Sequence, residues 1–124
     1  MTNVKAGYHD LIEDFYEQSA HIGGIVLVNE GALVASALSQ NYDSETIGTI
    51  TSSTKEIIEN NLQVFSKTNI RQILIKGKEN IVLLQHIKDS WILVVFADNA
   101  CKVKELMQLV GKTVKQIVKA MGGE

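Results

Sequence analysis

The chain is short of the residues that carry chemistry. Its 124 residues include one cysteine, Cys101, which excludes an internal disulfide framework and suits a reducing compartment; it reads as an inert helix residue. The three histidines, His9, His21 and His86, fall on separate segments without metal-ligand spacing, and no Cys-x-x-Cys pair exists. No Gly-x-Ser-x-Gly nucleophile turn is present, and Gly23-Gly24 lacks the lysine and Ser/Thr of a phosphate-cradling loop. Basic charge is not in excess: 12 Lys plus Arg stand against 14 Asp plus Glu, a formal charge of −2, which argues against a nucleic-acid binder. The longest apolar run, Trp91 to Ala97, is far below the ~20 residues that span a bilayer. The opening MTNVKAGYHDLIED lacks the apolar core of a secretory signal. These absences predict a cytoplasmic protein with no catalytic residues, no metal, no cofactor and no stable membrane insertion. One domain over residues 1–124, with a core of about 8–121, suits the length and the 45% hydrophobic content.

What is present is pattern. The run WILVVFA, Trp91 to Ala97, has no polar side chain, so as a strand it is apolar on both faces and needs cover on both. That predicts a central strand. Ile70 to Lys76 (IRQILIK) and Asn80 to His86 (NIVLLQH) precede it across the short connections GKEN and IKDS, which makes an antiparallel meander. Earlier, Ile22 to Asn29 and Ala32 to Ser39 read as a hairpin turned by Asn29-Glu30-Gly31, with the glycine free to take positive φ. Its small residues, Gly23, Gly24, Ala32, Ala35, Ser36 and Ala37, allow a helix to lie close over the sheet.

Three helices complete the pattern. Over Tyr8 to Ser19, Tyr8, Leu11, Ile12, Phe15 and Tyr16 share one face and Asp10, Glu13, Asp14 and Glu17 the other. From about Ser44 to Lys67, with Asp43 or Ser44 as N-cap, the apolar arc of Ile47, Ile50, Ile57, Ile58, Leu62, Val64 and Phe65 spans roughly 160°, wider than one sheet contact requires. Either a second buried contact or a deeply packed helix accounts for that width, and TITSSTK makes the helix dependent on tertiary support. From about Ala100 to Met121, Val103, Leu106, Met107, Val110, Val114, Ile117, Val118 and Met121 lie opposite Lys104, Lys112, Lys115 and Lys119, with Asp98 or Asn99 as the cap. This basic face either complements the acidic first helix or docks an acidic protein or an anionic surface.

The order αββαβββα, together with the hairpin GGIVLVNEGALVASAL, the long helix and the meander IRQILIKGKENIVLLQHIKDSWILVVFAD, resembles the roadblock/LC7 family. With its long last helix the chain resembles the prokaryotic regulators of small Ras-like GTPases, and the similar scaffold subunits of eukaryotes, more than the shorter dynein light chains. That resemblance implies an α+β fold, an α/β arrangement in two or three layers. Its five-stranded antiparallel sheet, profilin-like, carries the middle helix on one face and the first and last helices on the other. It also implies a homodimer, or a heterodimer with another roadblock protein, built from the strand after the middle helix (Arg71, Gln72, Ile73, Leu74, Ile75) and the paired middle helices (Ile50, Thr54, Ile57, Asn61). A proline at Ile73 is then expected to remove a ladder donor and weaken the dimer. The implied partner is a small Ras-like GTPase, bound on the outward polar arc Ser52, Lys55, Glu56, Glu59 and Gln63. Arg71, the only arginine, belongs to the dimer strand and is a poor arginine finger, so regulation would order the GTPase's own machinery. The alternative is a small-ligand sensor domain of longin or profilin-like fold, for which the strands offer few inward polar groups, chiefly Gln85 and His86.

Overall fold

The structure is a computed structural model that describes residues 4–30, 32–39, 71–89 and 91–122. Helix α1 spans Val4–Glu17, and strands β1 (Ile22–Asn29) and β2 (Ala32–Leu38) follow it. Strands β3 (Gln72–Lys76), β4 (Asn80–Lys88) and β5 (Trp91–Asp98) come next, and helix α2 (Val103–Ala120) closes the described chain. The middle helix expected over 44–67 lies outside the described residues.

All five strands form one antiparallel sheet in the order β2-β1-β5-β4-β3. The all-apolar strand β5 is its centre, as the two-faced pattern requires. Its alternation sorts the core into two layers. Leu93, Val95 and Ala97 point to one face, where they join Ile25, Leu27 and Leu83 beneath Tyr8, Ile12 and Phe15 of α1 and Leu106, Val110 and Ile117 of α2. Val94 and Phe96 point to the other face with Val26, Val28 and Leu84, and those five side chains are buried as well. Helices α1 and α2 therefore share one face of the sheet, the placement expected of the first and last helices.

Several local expectations are revised. Helix α1 starts at Val4 rather than Tyr8 and ends at Glu17; its first turn, VKAG, contains a glycine and little apolar periodicity, so the pattern alone shows its start poorly. Helix α2 starts at Val103, not near Ala100, and its N-cap, Lys102, makes no side-chain cap. Asp98 is spent earlier, its Oδ1 accepting from the Ala100 amide at 2.8 Å, while the Asn99 side chain donates to the Lys78 carbonyl. In the β1–β2 turn Glu30, at φ 54°, takes the left-handed conformation, a region that costs a non-glycine residue roughly 1–2 kcal/mol, while Gly31, the residue expected to take positive φ, lies outside the described residues. Ala35 and Ala37 do lie on the helix-covered face, under α1. Gly24 is small for another reason: a Cβ there would stand 2.6 Å from Leu38 Cδ2 on the neighbouring strand, on the face away from α1 and α2.

Candidate functional site

Strand β3 stands at one edge of the sheet, paired only with β4 among the described strands. The Arg71 carbonyl accepts from the His86 amide at 2.8 Å, and the Gly77 amide donates to the Asn80 carbonyl at 2.7 Å. In an antiparallel ladder such hydrogen-bonded pairs alternate with non-bonded ones, and both pairs share the register Gln72↔Gln85 to Lys76↔Ile81. Backbone groups of Arg71, Ile73, Ile75 and Gly77 therefore point inward to β4. Those of Gln72, Leu74 and Lys76 point outward, along the edge that has no partner among the described strands. This corrects the expectation for a proline at Ile73, because that residue's N–H belongs to the internal ladder and its loss would damage the protomer. The outward donors are those of Gln72, Leu74 and Lys76. Residue spacing cannot reveal this parity; it becomes visible only through the bonds at the two ends of the strand.

The side chains of β3 divide as the pleat demands. Leu74 is half-buried against the core beneath α1 and α2. On the opposite face Ile73 is half-buried against Leu84 and its neighbours, whereas Ile75 is 50% exposed. Leu33, at the other edge of the sheet, and Ile75 are the large apolar side chains left open among the described residues, Leu33 being 54% exposed; its pairing with Val28 sets it on the same face as Ile75. Gln72 and Gln85 are cross-strand partners joined side chain to side chain, and Gln85 also donates to the carbonyls of Arg71 and His86. The end of β3 near Arg71 is thus clamped to β4. Arg71 itself is exposed, one residue ahead of the strand.

The other sequence candidates are placed separately. His9 sits 3.1 Å from Glu13 one turn on in α1, His21 sits 3.2 Å from Asp98, and His86 Nε2 donates to the Asp89 carbonyl at 2.8 Å. Each is exposed and bonded locally, and no cluster of three metal-binding side chains occurs among the described residues. Cys101 is buried, and burial, followed by the nearby carboxylates of Asp98 and Glu105, raises its pKa, which keeps the thiol protonated and unreactive. No described helix is long and apolar enough to cross a membrane. Ile50, Thr54, Ile57 and Asn61, and the polar arc Ser52, Lys55, Glu56, Glu59 and Gln63, lie outside the described residues.

A family model, the Roadblock/LC7 domain, matches residues 8–97, from α1 to the end of the central strand. The chain belongs to the roadblock/LC7 family. No curated protein matches it. Among solved structures, this roadblock/LC7 chain is similar to MglB of Myxococcus xanthus, with a TM-score of 0.84 and 14% identity, over 98% of this chain and 92% of that one. It is similar to the gliding protein MglB of Thermus thermophilus, with a TM-score of 0.77 and 8% identity, over 97% and 92%. It is also similar to an MglB with tetrameric arrangement, with a TM-score of 0.77 and 9% identity, over 97% and 91%. At such identities the likeness is one of fold.

Proposed function

We propose that this single-domain roadblock/LC7 protein, spanning residues 1–124, is a non-enzymatic dimeric adaptor that binds a small Ras-like GTPase and regulates or scaffolds it in the cytoplasm. Family membership supports the class, through the GTPase regulators that the sequence resembles. The observation that carries the dimer is the outer edge of β3, which presents a row of outward backbone groups and a half-exposed isoleucine. An apolar edge of that kind invites another strand. If β3 pairs antiparallel with its twin about a two-fold axis at Leu74, Gln72 comes opposite the partner's Lys76, and the three outward positions form hydrogen-bonded pairs. Ile75 then lies opposite the partner's Ile73, in a non-hydrogen-bonded pair whose side chains approach most closely, and loses its exposure. Arg71 stands at the rim of this contact. A heterodimer with another roadblock protein would use the same edge. A neighbouring fold solved in a tetrameric arrangement fits a scaffold that associates.

In this reading Ile50, Thr54, Ile57 and Asn61 extend the dimer contact, and Ser52, Lys55, Glu56, Glu59 and Gln63 from both copies form the platform for the GTPase. The sensor reading loses its polar groups, since Gln85 is bonded to Gln72, Arg71 and His86 and His86 to Asp89. The test immobilises the chain, passes native extract over it with GTP- or GDP-type nucleotide, and identifies the bound proteins by mass spectrometry. A small GTPase should be retained, and reversing Lys55 and Glu59 together should release it. Retention of no GTPase in either nucleotide state would contradict the proposal.

A further inference from the structure

Helix α2 buries Leu106, Val110, Thr113 and Ile117 against the sheet. Lys104, Lys112, Lys115 and Lys119 fall within about 80° on the opposite side of the helical wheel, and all four are exposed. Helix α1, packed beside α2 on the same face, buries Tyr8, Ile12 and Phe15 and exposes Asp10, Glu13, Asp14 and Glu17. Opposite charges on adjacent helices would be expected to pair within the protomer. They do not: the ion pairs within 4 Å among the described residues are those of His9 with Glu13 and His21 with Asp98. The basic and acidic stripes lie on the exposed sides of two adjacent helices and form no ion pair with each other within 4 Å.

A second feature lies in the same outward surface. Gly111 stands in the interior of α2, beside Lys104 and Lys115 on the wheel, and a Cβ there would meet nothing within 4 Å. A helix-interior glycine is less favourable than alanine, and no contact within the protomer requires it. What its absent side chain permits is the close approach of another helix from outside.

We infer that the outward faces of α1 and α2 form a contact between two copies of this chain, separate from the β3 edge, in which the lysine stripe of α2 lies on the acidic stripe of α1 in the second copy. A two-fold axis lying in the contact plane, midway between the helices, carries α1 over α2 and α2 over α1, so both stripes are matched at once and the contact closes. A flat anionic membrane would satisfy the lysines but press the four carboxylates of α1 against like charge, and an acidic protein would match one stripe alone. The apolar faces of both helices are already used against the sheet, so the contact is electrostatic and sensitive to salt.

Sedimentation velocity at micromolar concentration, in 20 mM and in 500 mM NaCl, tests this. The mass at low salt should exceed that at high salt: twofold if the high-salt species is a monomer, and more than twofold if it is the β3 dimer, which carries two such faces. Lys112→Glu with Lys115→Glu should hold the protein at its high-salt mass in both buffers, and adding Glu13→Lys with Asp14→Lys should restore the increase. Gly111→Gln, uncharged and with open space at its Cβ, should also abolish it while leaving the circular dichroism spectrum unchanged. Equal mass at both salts, an increase that survives the lysine reversals, or failure of the exchanged charges to restore it would overturn the inference. Loss of pelleting with phosphatidylserine vesicles in the lysine variant, with the increase retained, would assign the stripe to a membrane instead.

Discussion

Two prolines at adjacent positions of β3 should have opposite consequences. At Ile73 the ring removes an N–H that bonds to β4, and the orphaned carbonyl on the neighbouring strand costs about 1–3 kcal/mol. Replacing a half-buried isoleucine forfeits roughly 1 kcal/mol more of apolar burial. A loss of about 2–4 kcal/mol takes a large part of the 5–15 kcal/mol typical of a whole domain. At Gln72 the N–H points outward and the side chain is exposed, so Gln72→Pro leaves the internal ladder intact. It forfeits the side-chain bond to Gln85, about 0.5–1.5 kcal/mol, and Gln72→Ala isolates that cost because it keeps the N–H. The outward donor and the flat approach to the edge are lost only in the proline variant. Urea unfolding, at protein concentrations low enough to keep every variant monomeric so that association adds nothing, should therefore rank stability as Gln72→Ala, close to Gln72→Pro, well above Ile73→Pro. Light scattering in 500 mM NaCl should show a dimer for Gln72→Ala and at least tenfold weaker association for Gln72→Pro. If Gln72→Pro unfolds as readily as Ile73→Pro, the assigned direction of the strand's backbone groups is wrong; if it stays a dimer, the interface is elsewhere.

Gly111→Ala should stabilise the protomer by up to about 1 kcal/mol in chemical denaturation at high salt, because the Cβ meets nothing and alanine is the better helix former. Cys101 should react slowly with Ellman's reagent at pH 7 and faster as the pH rises, since burial and two carboxylates favour its neutral thiol. With the folded pKa raised above the unfolded one, the thiol's contribution to stability is complete at neutral pH. It declines as alkaline pH approaches the folded pKa, and Cys101→Ala should flatten that part of the thermal profile.

Much of the sheet was legible because its strands obey a simple rule of alternation. Trp91 to Ala97 had to be central, since no polar side chain breaks either face, and the structure splits it into Leu93, Val95 and Ala97 on one side and Val94 and Phe96 on the other. The same reasoning placed α1 and α2, whose apolar stripes match their buried residues. Capping was less legible, because Asp98 uses its side-chain oxygen on the Ala100 amide in the turn ahead of the helix. The left-handed conformation of Glu30 was not legible, because nothing in the sequence marks a glutamate for positive φ. For the site, spacing identified β3 but not which of its amides face outward, since side-chain alternation and backbone alternation are offset by a register that only the pairing with β4 supplies. The parts of the site expected on the middle helix rest on the family resemblance and the width of an apolar arc.

Amide hydrogen exchange at Gln72, Leu74 and Lys76, followed by NMR across a dilution series in 500 mM NaCl, tests the β3 dimer most directly. Within one protomer these amides have no partner on β4, whereas those of Ile73 and Ile75 do. Pairing of the two edges predicts that at least the central amide, Leu74, is strongly protected at high concentration and loses that protection on dilution, while Ile73 and Ile75 remain protected throughout. Fast exchange at Gln72, Leu74 and Lys76 at every concentration would contradict the edge-to-edge dimer.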